Sequence, residues 1–546
     1  MKNNNEQNIA DEILSEYEQL SAERSNFENQ WKEIAERVIP AQRDMFDSKG
    51  TKTEQGRKKS EFLFDSTAAI ALNRYTAILD SLLTPRNQTW HRIEASDPYL
   101  NKSREVMLWF EEVNRLLFKY RYSPKANFAS QNQQNYASLG AYGSGCMFVD
   151  KLIDPTEKGL RYRNIHLGEI YFVENHQGIV DKAIRHFPMT VRQALQKWGD
   201  KCPDRIKNST RLEETFFFLH CVKPRHDKDP YRVDYKGMDF QSHYICTEGK
   251  KLVGEGGYTT FPYAISRYEQ HSGEVYGRSP AMSVLPAIKT LNEEKKTLLK
   301  QGHRAVDPVL LVHDDGVIDG FDLAPGAVNY GGVSSEGRPM VHTLPTGNVA
   351  VGKDMMDDER VVINDAFLIT IFQILTETPA MSATEVLERT KEKGILLAPT
   401  IGRQQSEYLG PMIEREIDVL VEQRLLPPMP QVLKEAGGEF QIVYDSPLSR
   451  AQRAEEAAGL MRTVETALNV VNVTQNPEPL DFFDWDTIIP EVAKIQGVPV
   501  RWMKSMDSVM AVRQSRAEQA QQQTMIQAAP GAAAMMKAGN AIVSGK

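Results

Sequence analysis

The sequence predicts an α+β protein that is mainly helical and built from several regions. Three observations carry this. Apolar residues recur at helical spacing before residue 142 and again after 400, with period-two strand patterns between 145 and 267. Two long polar helices, over 280–305 and 353–375, flank a Gly- and Pro-rich insert. At 546 residues the chain also exceeds what one core usually serves. A helix–insert–helix plan suits a stalk with a head at its tip, not a pocket enzyme.

Taken in order, residues 9–38 read as one amphipathic helix, with Ile9, Ile13, Tyr17, Leu20, Phe27, Trp31, Ile34 and Val38 recurring at helical spacing (three or four apart, with seven from Leu20 to Phe27) and Pro40 as its stop. Residues 47–61 are polar and read as a loop. Ser66 can N-cap a helix through Leu83, stopped by Thr84-Pro85. Two further helices, 103–122 and 125–141, lie on either side of Pro124. From Gly145 the period changes. Strands are expected at 146–149, 160–163, 170–173 and 179–184, with a hairpin turn at Asn175-His176-Gln177-Gly178. A helix near 190–199 precedes strands at 215–223, 240–247 and 260–267.

The helix over 280–305 would be about 39 Å long at about 1.5 Å per residue. It carries Lys289, Lys295, Lys296, Lys300 and Arg304 against Glu293 and Glu294, a formal +3. The helix over 353–375 carries Lys353 and Arg360 against Asp354, Asp357, Asp358, Glu359 and Asp365, a formal −3. Each sign suits the helix end it occupies. Antiparallel packing would set the basic end of one beside the acidic start of the other. Two readings stay open: ordinary surface charge balance, or pairing between subunits in a ring of stalks. The insert begins Pro308-Val309-Leu310-Leu311-Val312 and reads as a small strand-and-turn module. Residues 376–383 break the second helix, and Ser382 with Glu385 forms a capping box for a helix to about Lys393. Helices follow over 400–426, 449–472, 486–496 and 499–525. The tail beyond is Gln- and Ala-rich and reads as a frayed helix followed by disorder.

Composition narrows the function. Apolar residues make up 41%, enough for a real core. There is no run of about 18 apolar residues, so no membrane span is expected. The start of the chain, Met1-Lys2-Asn3-Asn4, does not read as a signal peptide. Cys146, Cys202, Cys221 and Cys246 form no Cys-x-x-Cys and no disulfide pattern, which fits synthesis in a reducing cytosol. The formal net charge of −8 argues against tight DNA gripping and leaves room for DNA that slides past.

No catalytic constellation stands out, and no cofactor or metal is expected. A Walker-type loop is absent. Gly140-Ala141-Tyr142-Gly143-Ser144-Gly145 lies between a helix and a strand, the reverse of a phosphate loop, and reads as a tight turn. The histidines show no ligand spacing. Asp357-Asp358-Glu359 are consecutive helix residues that point apart, which favours a solvated face.

Three phrases in order carry a resemblance. Tyr276-Gly277-Arg278-Ser279-Pro280 with Leu291-Asn292, then Met381-Ser382-Ala383-Thr384-Glu385-Val386, then Tyr444-Asp445-Ser446-Pro447-Leu448-Ser449-Arg450-Ala451-Gln452-Arg453 resemble successive parts of the portal, or head-tail connector, proteins of short-tailed (T7-like) bacteriophages. The likeness spans about residues 5–510; the Ala/Gln tail departs from any fixed pattern.

The resemblance implies a multi-region portal fold. The wing would be 1–279, helical and then mixed α/β. Stem helix 1 would be 280–305, a small β-containing clip 306–352, and stem helix 2 353–375. A tunnel loop would follow at 376–383 (Thr376, Glu377, Thr378, Pro379, Ala380, Met381 and the two after), further wing helices at 384–445, a helical crown at 446–525 and a flexible tail at 526–546. It implies a homo-oligomeric ring, usually of about twelve subunits, at one capsid vertex of the virion, assembled in the host bacterial cytoplasm. Double-stranded DNA would pass through during packaging and ejection. The partners implied are the terminase large subunit, a tail adaptor, major capsid and scaffolding proteins, and internal core proteins. Lys289, Lys295, Lys296, Lys300 and Arg304 would meet passing phosphates, or pair with Asp354, Asp357 and Asp358 of a neighbouring stem. The rival readings are an internal core or tail-tube component of a virion, and an enzyme.

Overall fold

The computed structural model of the protein describes residues 2–46, 56, 60–152, 156–312, 322, 324–345, 349–370, 397–445, 447–495, 498, 500–504, 506 and 508–520. Expectations for most of the 47–61 loop, the 376–383 break, the helix after Ser382 and the 526–546 tail fall outside these residues. The chain divides into two compact units, Met1–Trp90 with Lys119–Leu425, and His91–Phe118 with Leu426–Lys546.

The expected first helix is two, α1 (Lys2–Glu23) and α2 (Ser25–Arg37). They meet at Arg24, whose guanidinium is buried. It donates to the carbonyls of Leu167 (2.8 Å) and Ile170 (2.5 Å) and to Glu28 (2.7 Å), and lies 3.5 Å over the Tyr171 ring. Next is α3 (Thr67–Leu83), within the expected bounds, but Ser66 makes no capping bond. Asp65 caps instead, accepting from the Thr67 amide at 2.8 Å. β1 (His91–Ala95), α4 (Arg104–Arg121) and α5 (Phe128–Tyr142) follow. Gly143, at φ +80°, ends α5, so the glycine-rich run is the tight turn expected.

The strand block is antiparallel throughout: β2 (Ser144–Lys151), β3 (Leu160–Asn164), β4 (Ile170–Glu174) and β5 (Val180–Thr190), then α6 (Val191–Trp198) and α7 (Asp204–Lys207), then β6 (Thr215–Pro224), β7 (Phe240–Cys246), β8 (Lys251–Tyr258) and β9 (Tyr263–Arg267). They form one sheet of order β3-β2-β9 and another of order β4-β5-β6-β7-β8. The turn at Asn175–Gly178 joins β4 to β5, with Gly178 at φ +79°. α6 starts in a full capping box between Thr190 and Gln193. α1 covers one face of the five-stranded sheet, with Ala10 and Ile13 against Ile184, Leu219 and Ile245. α6 covers the other, with Val191 and Ala194 packed with Phe187, Phe218 and Val253. β6 serves both because its side chains alternate.

The stalk region opens with α8 (Pro280–Ser283) and α9 (Leu285–Val306), so the expected helix over 280–305 is split at Val284. β10 (Leu310–Val312) pairs antiparallel with β11 (Val341–Thr343), the small β insert expected. α10 (Val349–Ala366) begins earlier than expected and is followed by a turn at 367–368 and helix again at 369–370; residues 371–375 of the expected helix lie outside the described residues. Leu368 stands at φ +62°, a left-handed position that interrupts helical continuation. The helix expected over 400–426 occupies 397–403, then a π-helical stretch Gln404–Leu409, then Gly410–Glu422. Pro411 lacks an amide hydrogen, and the widened turn directly before it re-spaces the ladder. Arg121 and Glu416 form an ion pair whose two side chains are fully buried.

In the second unit β1 pairs antiparallel with β12 (Phe440–Tyr444). Asn114 of α4 fixes β1 from the side, accepting from the Ile93 amide and donating to the Ile93 carbonyl. Helices Pro447–Thr474 and Trp485–Ile495 match the expectation to within a few residues. The third expected helix begins as a 3₁₀ turn, Val500–Trp502, with regular helix over 508–520.

Candidate functional site

The stalk grows out of a close backbone crossing. A Cβ on Gly277 would stand 2.3 Å from the Gly143 carbonyl oxygen, and one on Gly143 2.2 Å from that of Gly277. Only two glycines allow the approach. The Gly277 amide then donates to Ser144 Oγ at 2.9 Å. Tyr276 is buried, its ring centroid 4.5 Å from Phe172 and 5.4 Å from Trp31. Ser279 caps α8 by accepting from the Met282 amide (2.9 Å) and donates to the Ala141 carbonyl (2.8 Å). Arg278 is held by Glu274 at 2.8 Å. Tyr276, Gly277, Arg278 and Ser279 thus each have a geometric task at the base of the stalk.

Above this base α9 and α10 pack along each other. Gly352 faces Leu298, and Glu359 acts on Glu294, so residue numbers fall on one helix as they rise on the other. The pair is antiparallel, as its charge pattern suggests. Leu285, Ile288 and Leu291 are buried on α9, and Met356 and Ile363 on α10. Asn292 sits in that apolar stripe. Its side chain accepts from the amides of Phe64 (2.8 Å) and Asp65 (3.3 Å) and donates to the Phe62 carbonyl (2.9 Å). Arg360 pairs with Asp65 (2.8 Å) and Asp357 (2.7 Å). Burial works against the Asp65 carboxylate, but hydrogen bonds from Thr67 and Arg360 outweigh it and hold its pKa below the usual range.

The predicted site residues fall out unevenly. Lys289 pairs with Glu33 of α2, and Lys296 with Glu293 at 3.1 Å while lying 5.6 Å from the Phe64 ring. Lys295 is half-buried, and Lys300 and Arg304 are exposed. None of these three has an ion pair within the chain among the described residues. Asp354, Asp357 and Asp358 are exposed, and of them Asp357 has the Arg360 partner. Among the described residues no ion pair within the chain links the basic set of α9 to the three aspartates. The tunnel-loop residues Thr376, Glu377, Thr378, Pro379, Ala380 and Met381 lie outside the described residues.

Sequence reasoning named Asn292, Arg360, Glu294 and Glu359 without giving them these partners, and missed Asp65. A signal existed for Asn292, a polar residue set into the apolar repeat of Leu285, Ile288 and Leu291. Glu294 is pushed up, first by burial and then by the Glu359 charge, and its Oε2 has no hydrogen-bond partner among the described residues.

The β10–β11 tip is rich in exposed apolar residues, with Val309, Leu311 and Val312 about half exposed and Tyr330 at 88%. Among the described residues no group of three His, Cys, Asp or Glu could hold a metal ion, and no helix is long and apolar enough to cross a membrane. What the stalk offers is a charged, extended surface with an apolar head.

Two relatives share nearly the whole chain. The portal protein of Salmonella phage epsilon15 is 28% identical over 520 residues, covering 93% of this chain and 91% of that protein. The probable portal protein of Bordetella phage BPP-1 is 28% identical over 519 residues, with the same two coverages. The family model described as bacteriophage head to tail connecting protein matches residues 10–503, a span that contains the glycine crossing, the antiparallel stalk and its β tip. The chain belongs to the bacteriophage head to tail connecting protein family.

Proposed function

We propose how the chain acts as a phage portal protein: about twelve copies close head-to-tail into a ring at one capsid vertex, and DNA passes along its axis. The observation that carries the reading is the antiparallel α9–α10 hairpin with a β tip, set within a family match over residues 10–503. In this reading α9 and α10 are the stem and 306–352 is the clip. Residues 376–383 form the tunnel loop and 446–525 the crown. The clip meets the terminase large subunit during packaging and the tail adaptor afterwards, and its exposed Val309, Leu311 and Tyr330 are suited to such exchangeable partners. The remaining regions, 1–279 and 384–445, form the wing, which faces capsid and scaffolding proteins, with internal core proteins at the crown.

The role is that of a conduit, not an enzyme. DNA must move, so each strong phosphate contact would add a barrier. Lys289 and Lys296 are already partnered by Glu33 and Glu293, which mutes their pull. Lys295, Lys300 and Arg304 keep free charge for weak contact with passing phosphates, or for Asp354, Asp357 and Asp358 of the next subunit. The net charge of −8 per chain keeps the ring from gripping DNA.

Negative-stain microscopy with mass measurement of the purified full-length chain tests the reading. The expected result is a closed ring with an axial hole. A well-folded monomer that persists at micromolar concentration would overturn it.

A further inference from the structure

Within the second unit, the helix Pro447–Thr474 and the segment after it leave a groove of about 480 Å³ between them. Thr466, Ala467 and Val470 form one side, and Pro479, Phe482 and Phe483 the other. Phe482 is 92% exposed. Phe483 is braced by Trp485, with ring centroids 5.6 Å apart. An aromatic wall left in water forgoes the free energy of burying it, and such patches mark interaction sites.

The same unit presents an apolar stripe elsewhere on its surface. Trp502, in the 3₁₀ turn Val500–Trp502, is 72% exposed, and Met506 and Met510 follow at a spacing of four, both exposed. Residues four apart on a helix share a face. The stripe is fixed at both ends. Arg104 donates to the Met503 carbonyl at 2.6 Å, and Arg513 donates to Asp486 at 2.8 Å. A surface held in this way loses little freedom when something binds against it. Over 508–520 every residue but Val509 and Val512 is exposed. A helix that short is marginal in water without a packed face.

The two patches differ in sign. Residues 462–484, which line and flank the groove, carry Glu465, Glu478, Asp481 and Asp484 against Arg462, a formal −3. Residues 500–518, which carry the stripe, hold Arg501, Lys504, Arg513 and Arg516 against Asp507 and Glu518, a formal +2. Arg513 already has Asp486. Arg501, Lys504 and Arg516 are exposed, as are Glu465, Glu478 and Asp481, and none of these six has an ion pair among the described residues. The groove therefore suits an apolar stripe with cations beside it, and a second copy of this chain brings both. Each patch is exposed, so neither covers the other within the chain.

We propose that the Trp502, Met506 and Met510 stripe of one copy docks in the Thr466–Phe483 groove of the next, with Arg501, Lys504 and Arg516 against Glu465, Glu478 and Asp481. The inference rests on the ring reading and adds to it a contact outside the stem. Two unlike patches that match from copy to copy make a head-to-tail contact, the kind that closes a ring when the rotation allows. Opposite charges beside the apolar contact set which face meets which, and they disfavour groove against groove.

The test crosslinks the assembled full-length protein. Cys146, Cys202, Cys221 and Cys246 are all buried, so the wild type supplies a low background. Thr466→Cys and Met506→Cys in one chain place a thiol in the groove and another on the stripe. Rings of this double variant, treated with a short bismaleimide, should give a ladder of covalent oligomers beyond the dimer on a denaturing gel. Each single variant should stay monomeric, because groove meets stripe and neither meets itself. Reversing Arg501, Lys504 and Arg516 to Glu in the double variant should cut the ladder about tenfold, and reversing Glu465, Glu478 and Asp481 to Lys as well should restore it. Rings without a ladder, or dimers from a single variant, would overturn the proposal and leave the ring reading standing. A ladder indifferent to the triple reversal would overturn it too, since no charge match then selects the partner. Absence of rings in the wild type would overturn the ring reading first, before any crosslink is made, and this docking with it.

Discussion

Arg121 carries its charge into a place that water does not reach, and Glu416 is the reason it can. Burial works against the guanidinium, but Glu416 more than restores its preference for the charged form. Tyr162 adds a hydrogen bond to the same carboxylate at 2.6 Å. Glu416→Gln would remove the carboxylate that offsets a buried cation, and should cost about 3 kcal/mol or more, read as a lowered melting temperature. Glu294 is the opposite case. Burial and Glu359 raise its pKa in the folded chain, so the ionised form opposes folding. Its effect is favourable at low pH and is lost as pH rises through the folded pKa. Glu294→Gln should therefore stabilise the chain at neutral pH, by less than about 1 kcal/mol because the group is partly solvated. The gain should disappear near pH 4, where the wild-type carboxyl is protonated, and melting curves at both pH values check the sign. Such residues were hard to read from sequence because nothing local announces a partner hundreds of positions away. Glu416 looks like any helical glutamate until the fold sets Arg121 beside it.

At the scale of elements, much was legible. The period-two runs became β2 to β7 and β9, and the two polar helices became α9 and α10. β8 was missed because three glycines in Lys251–Tyr258 hide its alternation. β1 and β12 were missed because each is a five-residue strand stabilised by the other across a long separation. The break at Arg24 was passed over because the seven residues from Leu20 to Phe27 keep the helical phase, and Arg24 fills the apolar position skipped between them. The stem charges, read correctly as opposite in sign, bear on function through their neighbours. Reversing Lys295, Lys296 and Lys300 to Glu should act in one of two distinguishable ways. If they pair with Asp354, Asp357 and Asp358 of the next subunit, ring yield should fall and added salt should partly restore it. If they face the channel, rings should form normally and packaged DNA should fall. Each exposed pair is worth about 1 kcal/mol at most, yet a ring repeats it at every interface. Wild-type ring yield and wild-type DNA content together would remove these lysines from both roles.

At the scale of the whole molecule, the division into units was not legible. Residues 91–118 join the unit that resumes at Leu426, a discontinuity that no linker or composition shift marks. The order of regions around the stalk was legible because helix, insert and helix differ sharply in composition. That order makes the segment after α10 informative. Thr376-Glu377-Thr378-Pro379-Ala380-Met381 contains a proline, which has no backbone N–H to donate to a helical ladder. In the portal reading it faces the axis where DNA passes. Deleting residues 377–381 should therefore leave ring yield unchanged while DNA retention or packaging falls. In the same reading the two outcomes separate, because assembly would depend on the stem and wing surfaces and retention on what touches DNA at the narrowest point. Ring yield by microscopy and DNA content of assembled heads, measured on the same deletion, decide between them. Loss of the ring would assign the segment to assembly instead of to the channel.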